Sequence, residues 1–321
     1  MTDLGRKELA VIVLNYRTPG LVLDCLETLE PEVAGVDGFE VVVVDNCSGD
    51  DSAGLIEHGI VDRGWEGWAR VVRSAVNGGF AAGNNVGIQA SDAEMYLLLN
   101  SDTLVRPGGI GAMVDTMREH DDLHMLGARL EWPDGQYQVS TFRYRTPISE
   151  LISGSQLGTI GRALPGHVVA RELHEFTVGI DWVSFACVLI RREVIDRVGL
   201  LDERYFMYFE DMAYCRRVTK DGMRIGYQPA AHVVHLRGGS SPVKDQTLLR
   251  KRRPGYFYAA RAHYFRDFYG LAGFAVANVL WTIGWVLGSL RGRSGAVAKQ
   301  YRDIWCSPKH GVEIGGSDDE S

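Results

Sequence analysis

The sequence is short of several things, and each shortage closes off a class of function. Only five of its 321 residues are cysteine: Cys25, Cys47, Cys187, Cys215 and Cys306. They are odd in number and no two show CxxC spacing. That argues against a disulfide framework or a zinc site and fits reduced thiols in a cytosolic protein. Positive charge is in deficit: 34 Lys and Arg face 41 Asp and Glu, a net charge of -7. No basic face for nucleic acid is therefore expected. No lysine follows a glycine, so the phosphate-cradling Gly-Lys-Ser/Thr motif is missing. The dinucleotide fingerprint is missing too, because Phe80 stands where its second glycine would be. The first apolar run, Ala10 to Leu14, is too short for the hydrophobic region of a secretory signal and predicts a cytoplasmic protein. There is no internal repeat.

What is present is ordinary in bulk and ordered along the chain. A hydrophobic content of 45% and a charged content of 23% suit a globular protein. The length allows one large α/β domain with an appendage. Ala10–Asn15 and Glu40–Asp45 are unbroken apolar runs, the pattern of parallel strands buried on both faces. Ala69–Arg73 and Met95–Asn100 read as two more strands. Between the first two, Thr18-Pro19 suggests a helix start, with Leu23, Leu26 and Leu29 on one side. A glycine-rich loop opens another helix from about Phe80 to Ala90. This alternation predicts a doubly wound, mostly parallel sheet.

The second half is less regular. Trp132-Pro133-Asp134-Gly135 reads as a hairpin turn, Ala186–Ile190 as a strand, and a helix begins near Glu210 and stops at Gly222. Arg224–Gln228 and His232–His235 read as two short strands, while residues 141–176 show no clear period.

Polar residues gather at the carboxyl ends of the predicted strands, the edge where open α/β sheets bind ligands. Asn15 and Tyr16 end the first strand, Asp45 the second, and Asn100, Ser101 and Asp102 the fourth; Asn77 and Gly78 follow the third. Asp45 reads either as a turn cap or as an acceptor for the imide N–H of uracil or thymine. Asn100-Ser101-Asp102 reads either as a turn with an Asx cap or as an acidic element that suits a hard divalent cation also binding phosphate oxygens. Glu210 and Asp211 follow Tyr205, Phe206, Tyr208 and Phe209. They read either as helix-dipole partners or as a general base whose aromatic walls raise its pKa. His232 and His235, three apart on a strand, lie on opposite faces, so at most one reaches a site.

The stretches VIVLNY, VVVVDNCSGD, NGGFAAGNN, LLLNSDT, DWVSFACVLIRREV, LLDERYFMYFEDMAYCRR and HVVHLRGGSS together resemble glycosyltransferase family 2, in its rhamnosyltransferase-like branch. They run in family order over roughly residues 9 to 241. The resemblance implies the GT-A fold, with a nucleotide-sugar-binding half (1–105) and an acceptor and catalytic half (106–242); beyond it, composition predicts a helical, apolar extension (243–306) and a disordered acidic tail (307–321). It implies inverting transfer of a sugar, with rhamnose favoured, from a dTDP- or UDP-linked donor to an acceptor glycan or lipid-linked sugar, with Mg²⁺ or Mn²⁺ as cofactor. Asp211 would be the catalytic base, and Asp102 and His235 the metal ligands. The donor would lie against Asn15, Tyr16, Asp45, Asn77, Gly78, Asn84, Asn100 and Ser101. The acceptor would meet Trp182, Phe185 and Glu210. Phe185 stands where the family usually has a small residue, and Ala213 where an acidic one is common. A nucleotidyltransferase, or a donor-binding scaffold without catalysis, are the rival readings.

The uncharged stretch Phe268–Leu290 is long enough to cross a bilayer. Basic residues flank both ends, Arg261 and Arg266 before and Arg291, Arg293 and Lys299 after, without the one-sided bias of a spanning helix. It reads as a packed tail helix or as an interfacial one on the inner leaflet. The basic run Arg250–Arg253 ahead of it reads as a solvated face, or as a contact for anionic lipid heads or a polyprenyl-diphosphate acceptor.

Overall fold

The computed structural model describes residues 6–36, 38–236, 253–291 and 303–305. The chain divides into two compact units. One comprises Met1–Tyr144, Val168–Phe206 and Glu210–Ser241, the other Arg145–His167, Met207–Phe209 and Pro242–Ser321.

The first unit is built on β1 (Lys7–Asn15), β2 (Phe39–Asp45), β3 (Ala69–Arg73) and β4 (Ala93–Asn100). They are parallel neighbours in the order β3-β2-β1-β4. Helices α1 (Pro19–Val33), α2 (Ser52–Asp62) and α3 (Gly79–Gln89) connect them. The strands are apolar throughout because both faces are covered. Val11, Val13, Val41 and Val43 meet Leu26 and Ile56 on one side. Ile12, Val42 and Val44 meet Ala81 and Ile88 on the other. Each such side chain, fully withdrawn from water, contributes about 1.5–3 kcal/mol relative to exposure. Thr18 precedes α1, yet its hydroxyl makes no capping bond to the helix. Its backbone N–H instead donates to Asn15 Oδ1 at 3.2 Å.

Beyond β4 come β5 (Thr103–Val105), α4 (Gly109–Glu119), β6 (Met125–Glu131) and β7 (Tyr137–Gln138). The Trp132–Gly135 turn joins β6 to β7 as expected, closed by the Gly135 N–H on the Trp132 carbonyl at 2.8 Å. Residues 141–176 are more ordered than their lack of periodicity suggests. They hold β8 (Thr141–Phe142), α5 (Pro147–Ser155), α6 (Gly158–Ala163), a 3₁₀ turn at Pro165–His167 and β9 (Ala170–Arg171). Then follow β10 (Thr177–Val178), β11 (Trp182–Val183), β12 (Cys187–Arg191), α7 (Arg192–Val198), α8 (Glu210–Lys220) and β13 (Ile225–His235).

The large sheet continues from β4 through β12, β6, β13 and β10, with β12 antiparallel to both its neighbours. The strands expected at 224–228 and 232–235 are one strand, β13, whose register slips between Gln228 and His232. Such an irregularity adds residues to one strand without ending its pairing. A small sheet, β11-β8-β9, stands apart.

The second unit is helical. Its α5 opens with a capping box, in which the Thr146 hydroxyl accepts from the Ser149 N–H at 3.1 Å and Ser149 Oγ accepts from the Thr146 N–H at 2.9 Å. Helix α9 (Gly255–Ser289) bends at Gly270, whose φ of 67° no other residue type adopts as readily. It lies against α5 with backbone nearly touching backbone. A Cβ on Gly154 would fall 2.2 Å from the Trp281 carbonyl oxygen, and one on Gly284 would fall 2.3 Å from that of Leu151. The opposite side of α9 leaves Val276, Val279, Ile283, Val286 and Leu290 exposed. Phe268–Leu290 is therefore a packed helix on one face and an uncovered apolar one on the other. The segment 145–167, placed by sequence in the catalytic half, belongs with this helical unit because α5 is what α9 packs on. The tail at 307–321 and basic residues 250–252 lie outside the described residues.

Candidate active site

The ends of β1, β2 and β4 lie side by side. Asn15 is the register partner of Asp45, and Leu14 that of Asn100. Adjacent strands are about 4.8 Å apart, so the polar residues that terminate them form one row. Asp45 is the centre of a buried network. Its Oδ1 accepts from Asn15 Nδ2 at 2.7 Å and from Ser48 Oγ at 2.6 Å, and its Oδ2 from the Ser48 N–H at 3.2 Å. A carboxylate oxygen has two lone pairs, so Oδ2 keeps acceptor capacity for an incoming donor. Asn15, expected to touch the nucleotide, is instead fully buried. Its amide is spent on Asp45 and Ser48, and its oxygen on Thr18. It positions Asp45 rather than meeting a ligand. Tyr16 is half-buried, with the Arg17 guanidinium 5.2 Å from its ring centre.

The loop after β3 joins this row. Asn46 Nδ2 donates to Asn77 Oδ1 at 3.0 Å and to the Gly79 carbonyl at 3.1 Å, and the Gly79 N–H donates to Asn77 Oδ1 at 3.1 Å. Gly78 stands just before α3 with an ordinary φ of -86°. The glycine the loop cannot replace is Gly79: its φ is 82° and a Cβ there would lie 2.0 Å from the Phe206 carbonyl oxygen. That carbonyl accepts the Phe80 N–H at 2.7 Å. Asn84, expected at the nucleotide, is buried and its amide donates to the Phe80 carbonyl one turn back at 2.8 Å. Its neighbour Asn85 does the longer-range work, exchanging hydrogen bonds with both backbone groups of Leu201 at 2.9 and 3.0 Å. The glycine-rich loop and the segment leading to α8 are thus bound together at two points.

Asp102 is brought to His235 by the pairing of β5 with β13. Thr103 is opposite His235, and the Leu236 N–H donates to the Asp102 carbonyl at 2.9 Å. Asp102 Oδ1 and His235 Nε2 then stand 3.4 Å apart, with side chains 12% and 10% exposed. Two ligands of one cation at bond lengths of about 2.1 Å are separated by roughly 3–3.5 Å, so the pair fits joint coordination. Among the described residues no group of three His, Cys, Asp or Glu forms a metal cluster. A cation here would take its remaining ligands from substrate and water, as Mg²⁺ commonly does. His232 points elsewhere and is held by Glu131, Nδ1 to Oε2 at 3.0 Å. Ser101 is buried, and Asn100 is partly exposed at the end of β4.

Glu210 and Asp211 open α8. The chain enters through Tyr208 and Phe209, both in the left-handed region with φ of 72° and 70°. Such backbone is sparsely populated by residues with a Cβ and concentrates at functional sites. Asp211 is half-buried, and its Oδ1 accepts the Met212 N–H at 2.7 Å. Glu210 is buried, and burial, assisted by the charge of Asp211, holds its carboxyl well above the ordinary carboxylate range. So enclosed, Glu210 presents little of its side chain to an acceptor. Phe185 departs further from expectation: it is 2% exposed and sits edge-on to Tyr214 in the core. A large apolar ring at that position fills space between sheet and α8 instead of lining a pocket. Trp182 remains half-buried, stacked on Phe142 at 4.1 Å, with its Nε1 donating to the Arg143 carbonyl.

The model of the "Glycosyltransferase like family 2" family matches residues 6–256. The chain belongs to this glycosyltransferase family. Among its relatives is the low-salt glycan biosynthesis hexosyltransferase Agl10 of Haloferax volcanii, 26% identical over 75% of this chain and 69% of the relative. The N-acetylglucosaminyl-diphospho-decaprenol L-rhamnosyltransferase of Mycobacterium tuberculosis is 28% identical over 70% of this chain and 74% of its own. The mannosyltransferase PcManGT of Pyrobaculum calidifontis, solved with GDP-Man and Mn²⁺, aligns over 93% of this chain and 83% of its own with a TM-score of 0.51. At 14% identity that likeness speaks for the GT-A fold alone. The glycosyltransferase thus has the mixed α/β architecture, rhamnosyltransferase-like kinship and polar strand ends that its motifs led one to expect. Sequence reasoning passed over Asn46, Ser48 and Asn85. Asn46 and Ser48 lie in the stretch just after β2; that their side chains brace Asn77 and Asp45 appears only in three dimensions.

Proposed function

We propose that this glycosyltransferase is a divalent-cation-dependent, inverting enzyme that moves a hexose from a nucleoside diphosphate to a hydroxyl of a lipid-linked glycan in cell-envelope assembly. Rhamnose from a dTDP or UDP donor is the specific transfer its kinship favours. The supporting observation is the row at one sheet edge, where the braced carboxylate of Asp45 and the Asp102–His235 pair end neighbouring elements. In this reading Asp45 Oδ2 accepts the imide N–H of the base, with Asn15 and Ser48 fixing its direction. Asn77 and the exposed part of Tyr16 flank the nucleoside. Asp102 and His235 hold the cation, which when bound neutralises the diphosphate and stabilises it as it leaves. Electrostatics favours that arrangement: a carboxylate and a phosphate charge ~5 Å apart repel by roughly 3 kcal/mol at an effective dielectric of ~20. Asp211 takes the acceptor hydroxyl proton as that oxygen attacks the anomeric carbon from the face opposite the diphosphate, so configuration inverts.

Release of nucleoside diphosphate from a panel of donors, with and without Mn²⁺, tests the proposal. The wild-type protein should turn over a dTDP- or UDP-sugar in the presence of acceptor. Asp211→Asn should lose about 10²–10⁴ in turnover, the usual worth of a general base, while its donor-induced thermal shift stays. Near-normal turnover in that variant would remove Asp211 from the role.

A further inference from the structure

The helical unit encloses a polar cavity that the transfer chemistry described above does not use. It has a volume of about 70 Å³ and is lined by Arg145, Glu150, Phe209, Arg253, Phe257 and Arg261, among others. Among the described residues of its lining, three guanidiniums face one carboxylate. Glu150 is buried and already shared: its Oε1 accepts from Arg145 at 3.0 Å and its Oε2 from Arg261 Nε at 2.8 Å. Burial alone would raise its pKa, but Arg261 and Arg145 outweigh that and hold it below the ordinary value, so it is ionised. Arg261 is fixed further by Asn278, whose Oδ1 accepts at 2.7 Å.

Arg253 is the third cation. It lies over the Phe257 ring at 4.3 Å from the centroid. Among the described residues no carboxylate comes within ion-pair distance of it. Burial first, and the charge of Arg145 second, work against its protonated form. A guanidinium stays charged at any physiological pH, so Arg253 keeps its positive charge in the cavity wall. Charge withdrawn from water without a counter-charge is costly, and an entering anion relieves it. Forked guanidiniums suit phosphate oxygens above other anions. In the same unit, α9 exposes the apolar stripe Val276, Val279, Ile283 and Val286, a surface that suits acyl or prenyl chains.

We infer that this cavity is a phosphate site, and that its occupant is the diphosphate of the lipid-linked acceptor, gripped by Arg253 and Arg145. The assignment rests on the acceptor class proposed above and gives it a place on this chain. Phe209, in the cavity wall, directly precedes Glu210 and Asp211 in the sequence.

The test uses the full-length protein and three probes: phosphatidylcholine vesicles carrying a polyprenyl diphosphate, the same vesicles carrying phosphatidylglycerol, and inorganic pyrophosphate in solution. The wild type should bind the polyprenyl diphosphate vesicles most tightly, and pyrophosphate should compete. Arg253→Gln should weaken that binding about ten- to hundredfold, the worth of hydrogen bonds to a charged group. Arg253→Lys should recover part of it, since it restores the charge without the fork. Equal binding to both kinds of vesicle, binding of free pyrophosphate without preference for the lipid, or an Arg253→Gln variant that binds like wild type would each overturn the assignment. Donor turnover by the wild type is read separately. Headgroup binding that follows Arg253 without any turnover would sink the transferase reading and leave the phosphate site standing; the reverse pattern would sink only the site.

Discussion

Asp45, Asp102 and Glu210 are three carboxyl groups of one chain in three different surroundings. Asp45 is ringed by donors, two side chains and a backbone N–H, which fix the direction of its carboxylate. Asp102 faces an imidazole. If that pair holds the cation, Asp102→Ala should abolish the Mn²⁺-dependent part of donor binding, and chelation should do the same to the wild type. Titrating Mn²⁺ into a donor thermal-shift assay measures both, and an unchanged Mn²⁺ response in the variant would remove Asp102 from the cation. Glu210 is buried beside a like charge and its pKa is raised. A carboxyl whose folded pKa exceeds its unfolded one binds its proton more tightly when folded. Its stabilising contribution is therefore complete below the ordinary carboxylate range and is lost as the pH climbs through the folded value. Glu210→Gln keeps a neutral group at every pH. Its Tm should match wild type in acid and exceed it increasingly toward alkaline pH; parallel Tm–pH curves would mean that Glu210 does not titrate as described.

At the scale of elements, α3 shows how one glycine-rich segment serves two ends. Gly83 and Gly87 face β1, where a Cβ would fall 2.4 Å from Leu14 Cδ1 and 2.3 Å from Ile12 Cγ2; they let the helix lie close to the sheet. Gly79 serves the loop instead, through its positive φ and its contact with Phe206. Gly79→Ala should therefore cost of order 1–3 kcal/mol, the range for a strained backbone position, seen as a Tm lower by several degrees. Donor affinity should fall with it, because Asn46 and Asn77 are tied to the same residue. A variant with wild-type Tm would mean the loop relaxes without strain. The first four strands and their helices were readable because a parallel strand buried on both faces must be apolar along its whole length. The continuous β13 was not, since Pro229 and the register slip beside it look in sequence like a turn. The helix start suggested by Thr18-Pro19 holds, but without a side-chain cap: the Thr18 hydroxyl is turned to Asn15 Oδ1 at 3.4 Å, a contact that sequence spacing does not show.

At the scale of the molecule, the sheet and the helical unit each close their own core, and the helical unit leaves an apolar face uncovered. Val279 and Val286 are 46% and 45% exposed, so replacing both by serine removes little packing within the protein. If that face meets lipid, the double variant should leave Tm nearly unchanged and reduce flotation with vesicles. Each valine contributes at most about 1.5–3 kcal/mol of burial, so the loss should be measurable but partial. Flotation equal to wild type would show that the stripe stays in water.

The sequence by itself determined the strand–helix order, the polar strand ends and the family, because periodicity and motif are properties of consecutive residues. Only the tertiary structure decided which polar side chains serve one another. It turned Asn15 and Asn84 inward, put Phe185 into the core, set Asp102 against His235 across a strand pair, and moved residues 145–167 into the helical unit. Those outcomes depend on distances between residues far apart in the chain. Such distances are fixed by packing and hydrogen-bond satisfaction over the whole fold, and local pattern does not carry them.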